Sequence, residues 1–191
     1  MAKEMNAAIT RRDRRRHYNP VQKDAATFLE TSEETGGERS LAEVEVAPDG
    51  GPIPHFHKTY TERFEVIEGS LEVLVGDETR VLRAGEEATV PKNTLHRFHN
   101  ATGETVTFLC EMRPGQPGFE KTIMVGYGLA RDSLTRSDGT PKSLYHMALL
   151  LEWSEIRVPG IFTIIEPLMR LLARRAQRKG IERELEARYC Q

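Results

Sequence analysis

Between about residues 25 and 112, apolar and polar positions alternate in short runs with turn residues between them. In "SLAEVEVAP" (40–48), Ala42, Val44 and Val46 fall on one face, and Glu43 and Glu45 fall on the other. That is the two-residue period of a half-buried strand. "ERFEVIEG" sets Glu62, Phe64 and Val66 against Arg63, Glu65 and Ile67, and "SLEVLVG" puts Leu71, Val73 and Val75 on one side. "ATFLETS" (25–31), "RVLRAGE", "ATVP", "LHRFHN" and "TVTFLCEM" extend the series, punctuated by Gly36-Gly37 and "GDET". Many short strands at close spacing, with no helix between them, predict a mainly β fold, an antiparallel sandwich or barrel.

After "RPGQPG" (113–118) the period changes from two to that of a helix. Thr140 and Pro141 suit the N-cap and first position of a helix over 142–153. In "IFTIIEPLMRLLARRAQRKG", Ile164, Ile165, Leu168, Leu171 and Leu172 form one apolar stripe, and Gly180 suits the stop after it. "IERELEARY" follows, with Ile181, Leu185 and Tyr189 one turn apart. The predicted organisation is a flexible basic arm over 1–20, a β-barrel over 21–118 and a helical C-terminal extension over 119–191. The apolar stripe is expected to pack on the barrel or on a second subunit.

Composition narrows the class. A chain of 191 residues with 38% hydrophobic and 29% charged side chains is long enough for one domain with a real core. It contains no apolar run of the roughly 18 residues that a membrane helix needs. The N-terminus lacks the apolar stretch of a secretory signal. Two cysteines, Cys110 and Cys190, make no disulfide framework, so a cytoplasmic location is expected. The net charge of −2 conceals basic ends: residues 1–16 carry six basic and two acidic side chains, residues 170–191 seven and three. Few aromatic residues interleave them, so no nucleic-acid partner is expected. Contact of the basic tail with a membrane surface is the less favoured reading.

The candidate chemistry lies in "PHFHKTYTERFEVIEG" (54–69). His55 and His57, two residues apart, project from one strand face. Glu62 is an odd number of residues beyond His57, so a bend through "KTYT" must bring it to the same side, where it shares a face with Phe64 and Val66. A buried carboxylate beside two imidazoles is costly unless something satisfies all three. Further on, His96 and Phe98 share a face while Arg97 and His99 point outward. Three imidazoles and a carboxylate suit one divalent transition metal (Fe, Mn, Ni, Co, Cu or Zn) with coordination positions left open. Cys110, on the parity of Val106 and Phe108, reads as a small buried hydrophobe. His17 and His146 are given no role.

These spacings resemble the cupins. His55-x-His57, four residues, Glu62, six residues and Gly69 match the first cupin motif. Gly85, Pro91, His96 and Asn100 fall on the positions of the second, with a spacer of fifteen residues over 70–84. Two positions depart from the pattern. Asp49 stands where the first motif begins with glycine, and Asn93 where the second has its middle glycine, although asparagine tolerates the left-handed turn. The resemblance covers about residues 40–112 and implies a double-stranded β-helix, or jelly-roll barrel.

It further implies His55, His57, Glu62 and His96 as ligands of the metal. Similarity to small quercetinase-like cupins implies a dioxygenase-type oxidoreductase acting on a small aromatic or enol-type molecule. Glu62 would then be the catalytic base, with Phe64, Val66, Leu71, Val73 and Phe98 lining the substrate pocket. A binding or sensing module without catalysis, and a sugar or polyketide isomerase, are the alternatives. A homodimer is expected from the habit of the family and the apolar stripe.

Overall fold

The structure, a computed structural model, describes residues 15–190. Nine strands come first among them: β1 (Arg16–Asn19), β2 (Asp24–Glu30), β3 (Ser40–Val46), β4 (Thr61–Glu68), β5 (Ser70–Val75), β6 (Glu78–Arg83), β7 (Glu87–Val90), β8 (His96–His99) and β9 (Val106–Arg113). Four helices follow: α1 (Pro117–Arg131), α2 (Leu144–Ser154), α3 (Ile161–Arg178) and α4 (Ile181–Tyr189). One sheet has the order β1-β2-β3-β9-β4-β7 and the other β6-β5-β8, with every pairing antiparallel. The expected mainly β jelly roll with a helical C-terminal extension is what the chain forms.

Alternation translates directly into burial. In β3, Ala42, Val44 and Val46 are buried while the intervening residues are half exposed. In β4 the buried set is Glu62, Phe64 and Val66. These rows meet Leu71 and Val73 of β5 and Val106 and Phe108 of β9 in one core. Gly69, at φ +87°, makes the tight passage from β4 to β5. A Cβ there would also crowd Val106 at 3.1 Å, so two constraints favour glycine. Asp49 and Asn93, the two departures from the motif, both take φ +61°, so the left-handed turns survive the change of residue.

The helices build a second core. Val125 and Leu129 of α1, Ala148 and Leu149 of α2, Met169, Ala173 and Ala176 of α3, and Leu185 of α4 are buried together. On α3 the apolar stripe divides. Ile165 and Leu172 pack against this core, whereas Leu168 and Leu171 are more than half exposed; the small side chains Ala173 and Ala176 make the close seam instead. The side chain of Ile164 lies outside the described residues. Ser143, not Thr140, caps α2, its hydroxyl accepting from the His146 N–H. Pro141 is held short of the helix by a bridge to Thr135. Residues 1–14 of the expected basic arm lie outside the described residues, and Arg16–Asn19 form β1 rather than part of an arm. No helix among the described residues is long and apolar enough to cross a membrane.

Helix α1 joins the two cores and is pinned to the barrel at both ends. Near its start, the buried Glu120 carboxylate accepts from the Ser32 N–H at 2.6 Å and the Ser40 hydroxyl at 2.5 Å. Near its end, the Tyr127 hydroxyl donates to Asp24 Oδ2 at 2.7 Å. Glu120→Ala removes two charge-assisted hydrogen bonds and leaves a buried N–H unpaired. The variant should lose about 3 kcal/mol, read as a lower midpoint in chemical denaturation.

Candidate metal centre and its cavity

The four ligand-type side chains meet. One donor atom from each of His55, His57, Glu62 and His96 lies within 4.8 Å of the others, and all four residues are buried. Three pieces of chain place them. His55 sits on a short segment outside the named strands, held by a two-way bridge to His96, with N–H to O distances of 3.0 and 2.8 Å. Beside it, Phe56 bridges to Arg157, so this segment is clamped between β8 and the helical extension. The chain then bends through 58–60, and Thr61 begins β4, so the inward face resumes at Glu62.

In each imidazole Nδ1 is engaged and Nε2 is left for the centre. His55 Nδ1 lies 2.8 Å from the Ile53 carbonyl oxygen, and His96 Nδ1 lies 2.9 Å from that of Thr94. His57 Nδ1 lies 2.5 Å from the Tyr60 hydroxyl, whose ring stacks on the His57 ring. For His55 a carbonyl on Nδ1 requires N–H there, which leaves the lone pair on Nε2, the tautomer a metal needs; His96, whose Nε2 lies against the Glu62 carboxylate, presents the same lone pair once its Nε2 proton is displaced by the metal. His57 Nε2 is buried without a hydrogen-bond partner among the described residues. Such an orphan is costly in a protein interior, and a cation between it and Glu62 removes the cost.

Electrostatics agree with the geometry. Burial alone would raise the Glu62 carboxyl, but His57 and His96 hold it well below the usual carboxylate range. His96 Nε2 is 2.8 Å from Glu62 Oε2, and His57 Nε2 is 3.4 Å from it. Burial, reinforced by His96 and His57, pushes His55 down to about 3. Against its own burial, His96 is raised by its hydrogen bond to Glu62. Glu62 is thus an anion and His55 neutral near neutral pH, the states in which both can ligate. The residues present fit a divalent metal.

Tyr60 supports His57 directly, and strand periodicity did not single it out, since it lies in the bend where no period operates. Its hydroxyl lies 3.4 Å from the Ser154 carbonyl at the end of α2, and donation there leaves its oxygen to accept from His57 Nδ1. Tyr60→Phe should therefore weaken metal binding about tenfold in a competition titration with a chelating dye. The fold should be unaffected, because the ring that stacks on His57 is retained.

The centre opens into a cavity of about 390 Å³ whose wall includes His55 and Glu62. Of the residues expected to line a pocket, Phe64 and Phe98 do. Val66, Leu71 and Val73 are fully buried in the barrel core and lie outside this wall. The physical reason is a cluster of rings. Phe64, Phe98 and Phe108 pack edge to face with centroids 4.9–5.8 Å apart and fill the barrel below the centre. The opposite wall is supplied by the helical extension, through Phe119, Ile123 and Tyr127 of α1 and Met147 and Leu150 of α2. Cys110 is buried as expected, and its thiol lies 3.7 Å from Glu62 Oε1, so it also borders the centre. His99 points away, with Nδ1 3.0 Å from the Gly50 carbonyl oxygen.

Residues 42–111 match the family model described as the cupin domain. A 49-residue stretch is 45% identical to "Oxidoreductase OpS7" of Beauveria bassiana, covering 25% of this chain and 16% of that protein. A 66-residue stretch is 30% identical to an uncharacterized protein of Aquifex aeolicus, covering 35% and 54% respectively. This chain therefore spans about one sixth and about half of the lengths of these relatives. Among solved structures, that of the polyketide cyclase RemF from Streptomyces resistomycificus is 28% identical. It covers 50% of this chain and 68% of its own, with a TM-score of 0.45.

Proposed function

We propose, from the match of residues 42–111 to the cupin-domain family model, that the protein is a metal-dependent, dioxygenase-type oxidoreductase. Its substrate is a small aromatic or enol-type molecule, and its second substrate is dioxygen. The observation that carries the proposal is the pairing of two features. Three imidazoles aim Nε2, and one ionised carboxylate aims Oε2, at a single point. That point lies on the wall of a cavity otherwise lined mainly by apolar side chains.

His55, His57, Glu62 and His96 would hold one divalent transition metal, which when bound supplies Lewis-acid polarisation of a substrate oxygen. Phe64, Phe98 and Phe119 offer apolar ring faces and edges in the cavity wall, which suit a ring or a conjugated enol. Glu62 Oε2 faces the imidazoles, so Oε1 is the oxygen left to take the proton of an enol or phenol hydroxyl. Because this carboxylate is held so firmly ionised by its neighbours, it accepts that proton only when the hydroxyl itself has been acidified. A homodimer is part of the proposal, with the exposed Leu168 and Leu171 of α3 as the face it would use.

The test is elemental analysis of the full chain beside a His57→Ala, His96→Ala double variant, followed by oxygen-electrode assays with a panel of phenols and enols. About one metal per chain in the wild type and little in the variant is the expected result. Substrate-dependent oxygen uptake should then appear in the wild type alone. Wild type that stays empty after incubation with iron, manganese, cobalt, nickel, copper and zinc would sink the reading. Turnover of a substrate without oxygen uptake would keep the metal centre and replace the dioxygenase with an isomerase.

A further inference from the structure

The same cavity has a second polar station that the chemistry above does not use. Asp24, the first residue of β2, is 2% exposed and forms part of the cavity wall. Its Oδ2 accepts the Tyr127 hydroxyl at 2.7 Å, and its Oδ1 is buried without a partner among the described residues. A buried carboxylate with half its acceptor capacity unused is a costly arrangement. No cation faces it. Among the polar neighbours, Asn19 gives one Nδ2 hydrogen to Gln22 and takes the Val21 and Gln22 N–H groups on Oδ1. Burial raises the Asp24 carboxyl to about 7 despite the opposing hydrogen bonds from Tyr127 and from its own backbone N–H.

Helix α1 runs past both stations. Phe119 packs edge-on against the His57 and Tyr60 rings at 6.3 and 6.2 Å between centroids, and Tyr127 holds Asp24. Eight residues of helix separate them, which is about 12 Å. Between the stations the wall is apolar, with Ala26, Phe28, Val44 and Ile123 along it.

We propose that Asp24, buttressed by Tyr127, is a specificity-determining residue that accepts a hydrogen bond from a hydroxyl group at the far end of the ligand. The ligand is then an elongated, largely apolar molecule with one oxygen at the metal centre and a donating hydroxyl at its far end. This rests on the cavity being the substrate site of the proposed enzyme, but it does not require that the metal be bound. Tyr127 positions the carboxylate by fixing Oδ2, which turns the unused oxygen into the recognition atom.

The experiment measures the dissociation constants of two probes, 4-phenylphenol and biphenyl-4,4′-diol, by titration calorimetry on metal-free and metal-loaded full chain. The probes differ only in the distal hydroxyl. Wild type should bind the diol about tenfold more tightly than the mono-phenol, and Asp24→Ala should bring the ratio close to one. If Asp24→Ala fails to fold, the near-isosteric Asp24→Asn should at least halve the ratio, because the acceptor loses its charge. Tyr127→Phe should keep a ratio above one, since Asp24 remains.

A ratio near one in wild type overturns the proposal. So does a ratio that the Asp24 variants leave unchanged, or failure of both probes to bind at their solubility limit. The two readings separate cleanly. A tenfold ratio in a protein that takes up no metal upholds this inference and removes the enzyme, whereas metal uptake with a ratio of one does the reverse.

Discussion

Asp24→Asn should become progressively more stable than wild type as pH rises, gaining about 4 kcal/mol between pH 4 and pH 8. The carboxyl titrates near 3.8 in the unfolded chain and near 7 in the fold, where burial disfavours its charge. Between these values the folded state holds a proton that the unfolded state has released. The contribution is therefore fully present below pH 3.8 and is lost as pH climbs through about 7. Asparagine carries no such slope and still offers an oxygen to Tyr127, so the difference between the two proteins isolates the carboxyl. His17, pushed down to about 4 by burial and by Arg131, slopes the opposite way, but it does so equally in both proteins and cancels. Paired denaturation curves at several pH values check the prediction. Parallel stability profiles would mean that Asp24 is solvated like an ordinary surface acid.

The other large effect is stabilisation by metal. A ligand that binds only the folded chain adds about 4 kcal/mol at a thousand times its dissociation constant. In a chain of this size that is an increase of about 10 °C in the melting midpoint. The double variant His57→Ala, His96→Ala should show no increase, which differential scanning calorimetry with and without added metal would reveal. The gain should fade as pH drops, because protons compete for the same Nε2 atoms. His96, whose proton the neighbouring carboxylate helps to retain, should be the first to lose the metal. An equal increase in wild type and variant would place the binding elsewhere on the molecule.

Both effects come from residues of different legibility. The ligand set could be read because strands have a strict period and the motif spacing fixes how many residues separate the inward positions. Even the parity break between His57 and Glu62 was interpretable as a bend. Asn93 in a left-handed turn was readable too, from the chemistry of that side chain. Asp24 and Tyr127 were not. Asp24 begins a strand where a polar residue ordinarily marks an exposed end, and only the arrival of α1, more than a hundred residues later, buries it. β1 was hidden for the same reason. Its inward residues His17 and Asn19 are polar, so "RHYN" shows no apolar alternation, and packing against β2 and α1 makes it a strand. The helical period after residue 118 announced a helical extension and, within it, α2, without marking out α1 or saying which surface the helices would cover. Val66, Leu71 and Val73 had the right parity for a pocket, but parity says nothing of depth along the barrel, where the Phe64, Phe98 and Phe108 rings intervene.

Helix α1 lies close enough to the end of α2 that a Cβ at Gly118 would sit 2.3 Å from the Trp153 carbonyl oxygen, and together these helices close the barrel's mouth. Reactivity and selectivity are therefore written on separate stretches of chain. In the proposed reading residues 55–96 hold the ligand atoms, while residues 117–158, together with Asp24, shape what reaches them. Substitutions in the second stretch can change the preferred ligand without touching the first, and a lineage can explore new substrates while its metal chemistry stays constant. The exception is Tyr60, whose hydroxyl reaches from the first stretch to Ser154 in the second. Through that contact a change of lid is felt at His57, which makes the end of α2 the place where new selectivity would first cost metal affinity.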